Sequence, residues 1–111
     1  MLEHNLQDRI RLFISESKLA TMFHNNVGFD KVHKIKYGLC VGSSDIIGWQ
    51  SKIITPDMVG KKVAVFTAIE LKVENRKSSD KQRNFINRVN LSGGIAGVVR
   101  NVNDVEKLLG D

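Results

Sequence analysis

The chain has 111 residues, enough for one domain and one core, with 41% hydrophobic and 26% charged residues, which excludes a disordered chain. Seventeen Lys and Arg against twelve Asp and Glu give a net charge of +5, a balance that favours polyanionic partners such as nucleic acid or an anionic membrane surface. The single cysteine, Cys40, excludes an intramolecular disulfide and a cysteine-based zinc finger. Its setting in Leu39-Cys40-Val41 reads as a buried structural thiol in a reducing compartment.

Near the amino terminus, Leu2, Leu6, Ile10, Phe13 and Ile14 recur at spacings of three and four and predict a helix. Glu3 falls inside that apolar stripe and Gln7 at its edge. A carboxylate there needs a cation or another partner, unless it simply offsets the helix dipole from the first turn. The same terminus lacks a basic region followed by an apolar one, so no signal peptide is expected. No stretch approaches the ~20 apolar residues of a membrane span. Together these point to a cytoplasmic protein with no membrane partner.

The middle of the chain predicts strands. Ile35, Tyr37, Leu39 and Val41 alternate with His33, Lys34, Lys36 and Gly38, and the run breaks at Gly42-Ser43-Ser44-Asp45. Ile46-Ile47-Gly48-Trp49 predicts a second short strand. The segment Thr55–Lys62, with its proline and glycine, reads as a loop. Val63 to Val73 then predicts a long strand, apolar on both faces until Glu70, as for a strand buried on both sides.

After a polar loop over 74–80, Ser79 is placed to cap a helix whose apolar face carries Phe85, Ile86 and Val89, with Gln82 on the same side. Gly93-Gly94 ends it. Ile95 to Val99 predicts a short central strand, and Val102, Val105, Leu108 and Leu109 a terminal helix. The expected fold is a single mixed α/β domain over residues 1–111, in the order α-β-β-β-α-β-α.

Glu70 and Lys72 are two residues apart on a strand and so face the same way. Opposite charges at the end of an otherwise apolar strand suggest a site, although a structural salt bridge has the same pattern. Asp45 follows a glycine turn at the start of another strand, a place where an aspartate also serves as a simple cap. If the two strands are neighbours, two hard carboxylates can hold Mg²⁺ or Mn²⁺. Such a metal polarises a phosphoryl group and lowers the pKa of a bound water. The lysine stabilises developing negative charge.

In that order and context, the residues resemble the VRR-NUC domain (virus-type replication-repair nuclease), a branch of the PD-(D/E)XK nucleases. The resemblance runs from Glu3-His4-Asn5-Leu6-Gln7 through His24-Asn25-Asn26-Val27-Gly28 and Gly42-Ser43-Ser44-Asp45-Ile46-Ile47-Gly48. It continues through Ala68-Ile69-Glu70-Leu71-Lys72 and Gln82-Arg83-Asn84-Phe85-Ile86 to Gly93-Gly94-Ile95-Ala96-Gly97-Val98. It implies a restriction-endonuclease-like fold and a divalent-metal-dependent endodeoxyribonuclease. Asp45, Glu70 and the Leu71 carbonyl would ligate the metal, Glu3 would approach it directly or through water, Lys72 would be the catalytic lysine, and Gln82 would contact the site or substrate. The small size is similar to stand-alone virus-type members, which would act in the host cytoplasm. It implies a homodimer cutting four-way (Holliday) junctions, since a two-fold axis presents two sites to a symmetric substrate.

Two rival readings remain: a nuclease for flaps or single strands, and a non-catalytic DNA-binding module. Asn25 and Asn26 are candidates either for contacting phosphate or for shaping a turn. Arg76, Lys77, Lys81 and Arg83 flank the expected site, and Lys34 and Lys36 share one strand face with Lys31 nearby. Lys61 and Lys62 form a third basic cluster. Trp49 reads as a partly buried residue, with base stacking or a dimer contact as the alternative.

Overall fold

The computed structural model describes residues 3–110, with side chains from Asn5 onward. Leu2 of the first apolar stripe lies outside them. The chain forms two compact units, Met1–Lys52 and Ile53–Asp111.

The first unit opens with α1 (Glu3–Ser17), followed by β1 (Thr21–His24), β2 (Gly28–Asp30), β3 (Ile35–Tyr37) and β4 (Ile46–Trp49). β1 and β4 pair antiparallel, with Thr21 opposite Trp49 and His24 opposite Ile46. Thr21, Phe23, Ile47 and Trp49 share one face. The Phe23 and Trp49 rings meet there at 5.5 Å between centroids, tilted by 50°, an arrangement aromatic pairs favour. Trp49 is thus a half-buried packing residue. Gly48 is required by close approach, because a Cβ at that position would lie 1.8 Å from the Thr21 carbonyl oxygen. α1 packs on β1. Its sheltered residues are Gln7, Arg11 and Ile14, while Leu6, Ile10 and Phe13 of the expected inward stripe stay 40–62% exposed. A four-residue strand is too narrow to cover a full apolar stripe.

β2 and β3 form a separate antiparallel hairpin, Gly28 opposite Tyr37 and Asp30 opposite Ile35. The expected strand over 33–41 is therefore only three residues long. It ends at Gly38, which takes φ +83°, and Leu39, Cys40 and Val41 lie in the loop beyond. Cys40 is exposed, not buried as its apolar neighbours suggest.

The second unit opens with a single 3₁₀ turn at Pro56–Met58. It continues with β5 (Thr67–Leu71), α2 (Asp80–Leu91), β6 (Ile95–Val99) and α3 (Val102–Leu109). β5 and β6 are parallel, Thr67 opposite Ile95 and Leu71 opposite Val99, so α2 is the crossover of a βαβ unit. Ser79 caps α2 through a complete capping box with Gln82. At the other end, Gly94 N–H donates to the Val89 carbonyl and Gly93 N–H to that of Asn90, a Schellman closure that needs Gly93 at φ +98°. The Asn90 side chain then clamps α2 to β6. Its Nδ2 donates to the Ala96 carbonyl at 3.0 Å, and its Oδ1 accepts from the Ala96 N–H at 2.9 Å. Val89, Ala96 and Val99 are the buried apolar residues among those described. α3 covers the opposite face of β6, with Leu108 lying against Gly97.

The order observed is α-β-β-β-β-β-α-β-α, with two short strands, β1 and β2, that the sequence pattern does not reveal. The architecture is mixed α/β, with a parallel pair between two helices in the second unit. β5 is shorter than the expected 63–73 strand because β6 offers only five residues to pair with. Its two faces also differ: Ala68 and Glu70 are sheltered on the α2 side, whereas Ile69 and Leu71 are 41% and 75% exposed on the other. Burial on both faces, expected from the apolar pattern, is confined to β6.

Candidate active site

Glu70 is held on the α2 side of β5 by the strand's alternation. Lys72 lies just past the strand end, but its N–H still donates to the Val99 carbonyl at 3.2 Å, which keeps the backbone extended. The two side chains thus emerge on the same side, and Lys72 Nζ lies 3.7 Å from Glu70 Oε1. Both are partly sheltered, at 23% for Lys72 and 31% for Glu70. Gln82, in the first turn of α2, donates from Nε2 to the same Glu70 oxygen at 2.5 Å. Its own Oε1 accepts from Ser79 N–H at 2.8 Å, and its N–H donates to Ser79 Oγ at 3.1 Å. The capping box therefore fixes which way the Gln82 amide points: its oxygen faces the helix start and its NH₂ faces the carboxylate.

Glu70 and Gln82 border a cavity of about 280 Å³ lined also by Ala68, Ile69, Lys81, Phe85 and Ile86. Lys81 places a cation on its rim. Glu70 Oε2 has no hydrogen-bond partner among the described residues, so one carboxylate oxygen is open to a ligand. A second cavity, of about 400 Å³, lies on the α3 side between Leu71, Val73, Val99, Val102 and Val105, with Lys72 on its border.

In the first unit, Asp45 is exposed immediately before β4. The loop that carries it is built around Asn25, which is only 8% exposed. Asn25 Nδ2 donates to Ser43 Oγ and to the Ser44 carbonyl, both at 2.8 Å. Its Oδ1 accepts from Leu39 N–H at 3.1 Å, and its own N–H donates to the Asp45 carbonyl at 2.8 Å. The side chain proposed as a phosphate contact is thus engaged in shaping the turn, the alternative its sequence context left open. Burial signals this role, and burial of a polar residue is not visible in a sequence. We expect Asn25→Ala to destabilise the protein by about 2 kcal/mol, from the loss of three side-chain hydrogen bonds, and urea denaturation measures this. Cleavage should fall with it, because the Asp45 loop loses its tether.

Asn26 is exposed, as are Arg76 and Lys77. The Arg83 guanidinium is held by the Ser78 carbonyl and the Asp80 carboxylate, which ties it to its own helix start. The side chain of Glu3 lies outside the described residues. Among those described, no three His, Cys, Asp or Glu side chains gather as a metal cage. Asp45 and Glu70 are the only described carboxylates of the expected ligand set. The donors available nevertheless suit a hard divalent cation: carboxylate oxygens and a backbone carbonyl, with no thiolate or imidazole.

A parallel βαβ unit carries an acid–lysine pair at the end of its first strand, braced by a helix-borne glutamine, an arrangement compatible with phosphodiester hydrolysis. The family model described as VRR-NUC domain matches residues 15–103, and the chain belongs to that family, within the PD-(D/E)XK superfamily. It is a nuclease domain, a phosphodiester hydrolase of a superfamily that uses divalent metals, and the family cuts DNA in a structure-specific way. The match runs through the boundary between the two compact units. Neither a curated protein nor a solved structure matches the chain. No helix among the described residues is long and apolar enough to cross a membrane.

Proposed function

We propose that the whole chain, residues 1–111, is one nuclease module: an Mg²⁺- or Mn²⁺-dependent endodeoxyribonuclease for branched DNA, resolving four-way junctions as a homodimer in the cytoplasm. The observation that carries the chemistry is the Lys72–Glu70–Gln82 cluster, which joins a cation, an open carboxylate oxygen and an oriented amide on one sheltered face. Asp45, Glu70 and the Leu71 carbonyl are the proposed metal ligands, with Glu3 reaching the ion directly or through water. A divalent ion held by these groups would supply Lewis-acid activation of the scissile phosphate and of the attacking water.

The chain's own residues do the rest. The Lys72 ammonium draws the scissile phosphate inward and offsets charge developing on its oxygens. Gln82 holds the Glu70 carboxylate in one orientation. Lys81 at the cavity rim, and Arg76 and Lys77 in the loop before α2, are the proposed phosphate contacts. The net charge of +5 overcomes the repulsion that the acidic pair would exert on DNA. The exposed apolar stripe of α1, with Leu6, Ile10 and Phe13, supports a dimer, since a second copy would remove it from water.

The test is a cleavage panel of four-way junction, flap, single-stranded and linear DNA, each with Mg²⁺, Mn²⁺ or EDTA, together with solution mass. Paired symmetric cuts in the junction and a mass of two chains are expected. Preferential cutting of flaps or single strands would replace the junction reading. Binding without cutting in either metal would leave only a DNA-binding module.

A further inference from the structure

The β2–β3 hairpin is not used by the chemistry above, yet its tip is built rather than loose. Asp30 closes it as an Asx turn: its Oδ1 accepts from Val32 N–H at 3.0 Å and from His33 N–H at 3.3 Å, while its Oδ2 meets His33 Nδ1 at 2.6 Å. The His33 contact and these amides hold the Asp30 carboxyl below its ordinary range. Lys34 leaves the turn at φ +55°, a left-handed position. At the base, the Tyr37 ring lies across Gly28, where a Cβ would sit 2.2 Å from the Tyr37 hydroxyl oxygen. Among the described residues the hairpin pairs with no other strand.

What this turn presents is specific. Val32 stands at the apex, 85% exposed. Lys31 and Lys34 flank it closely, and Lys36 lies opposite the half-exposed Phe29 across the ladder. None of the three lysines is ion-paired among the described residues, whereas the one carboxylate present, Asp30, is bound to His33. A lone exposed valine is ordinary, but one at the apex of a pre-shaped turn between unpaired cations is not. Two-stranded ribbons fit nucleic-acid grooves, and apolar side chains wedge between base steps where stacking is already weakened.

We propose that this hairpin is the branch-sensing element of the protein: Lys31, Lys34 and Lys36 hold phosphates on arms that meet at a DNA branch, and Val32 enters the unstacked step between them. This rests on the reading of the substrate as branched DNA. It adds the surface that tells such DNA from a linear duplex.

Binding tests it in EDTA, where cutting does not intervene, with a synthetic four-way junction carrying 2-aminopurine at the branch and a linear duplex of equal length. The combined Lys31→Gln, Lys34→Gln and Lys36→Gln variant should bind the junction at least tenfold more weakly. Its log K against log salt should flatten by about 0.9 for each phosphate no longer neutralised. Val32→Ser should bind the duplex as the parent does, lose most of the preference for the junction, and lose the 2-aminopurine fluorescence change. Lys61→Gln with Lys62→Gln serves as the control for a general loss of charge. Unchanged salt slope in the triple variant, an equal loss in the control, or full junction preference in Val32→Ser would each overturn the proposal. Cutting by wild-type protein in Mn²⁺ is scored separately, so a hairpin that fails leaves the nuclease reading standing, and absent cutting leaves the binding result interpretable.

Discussion

Glu70→Ala should reduce DNA cleavage by at least about a thousandfold while leaving DNA binding near that of the parent. The loss follows from what the carboxylate does in the proposed site. It is offered to the metal together with Asp45 and, directly or through water, Glu3, and removing a group that organises charge in a hydrolytic transition state commonly costs a factor of ~10²–10³ or more. The fold should survive. Glu70 is partly exposed, and its removal leaves the β5–β6 ladder and the Ser79–Gln82 capping box intact. Asp45→Ala should give the same phenotype, although its carboxylate sits on a different unit of the chain. Cleavage in single-turnover conditions, paired with binding by anisotropy in EDTA, separates chemistry from affinity. Either variant cutting at near-parent rate in Mn²⁺ would remove that residue from the ligand set.

Much of the second unit is legible in the sequence because its signals are local and complete. Ser79 announces a helix cap, Gly93-Gly94 a helix stop, and Glu70-Leu71-Lys72 a pair of same-facing charges. Each rests on interactions within a few residues, and the parallel β5–β6 pair then places them together. The first unit is less legible for a matching reason. β1 and β2 have four and three residues, too few to show a two-residue period. The apolar alternation over 35–41 promises a long strand, but only Ile35, Lys36 and Tyr37 have a partner to pair with. Strand length is set by the neighbour across the ladder, and a sequence does not state who that neighbour is.

The same limit explains the misread faces. Hydrophobic patterns mark which residues would gain from burial, not what arrives to bury them. Ile69, Leu71 and Val73 read as core, yet α3 settles over β6 at Gly97 and leaves them exposed. Cys40 reads as core for the same reason, and it lies in a loop between two left-handed glycines. Asn25 shows the converse. Nothing in its neighbours marks it as buried, and it is the residue around which the Asp45 loop is built.

Gln82→Glu isolates the part of the site that catalysis shares with folding. Glutamate serves the third position of a capping box as well as glutamine does, so α2 should keep its cap and the protein its stability. Towards the strand, however, the substitution replaces an NH₂ donor 2.5 Å from Glu70 with a second carboxylate. Two carboxylates at that separation do not both ionise readily, so the substituted pair tends to share a proton. Metal affinity should fall by about 10–100-fold near neutral pH, the usual cost of disturbing a group that orients a ligand. Raising the pH or the Mn²⁺ concentration should restore part of the rate, because both favour the fully ionised pair. Ser79→Ala gives the complementary result. It removes the hydroxyl acceptor from the helix cap, costing about 1 kcal/mol of stability, but leaves an amide facing Glu70, so the pH profile should not move. A merely structural Gln82 would make the two variants alike. A displaced pH profile in Gln82→Glu alone would assign the glutamine to holding the metal-binding carboxylate in place.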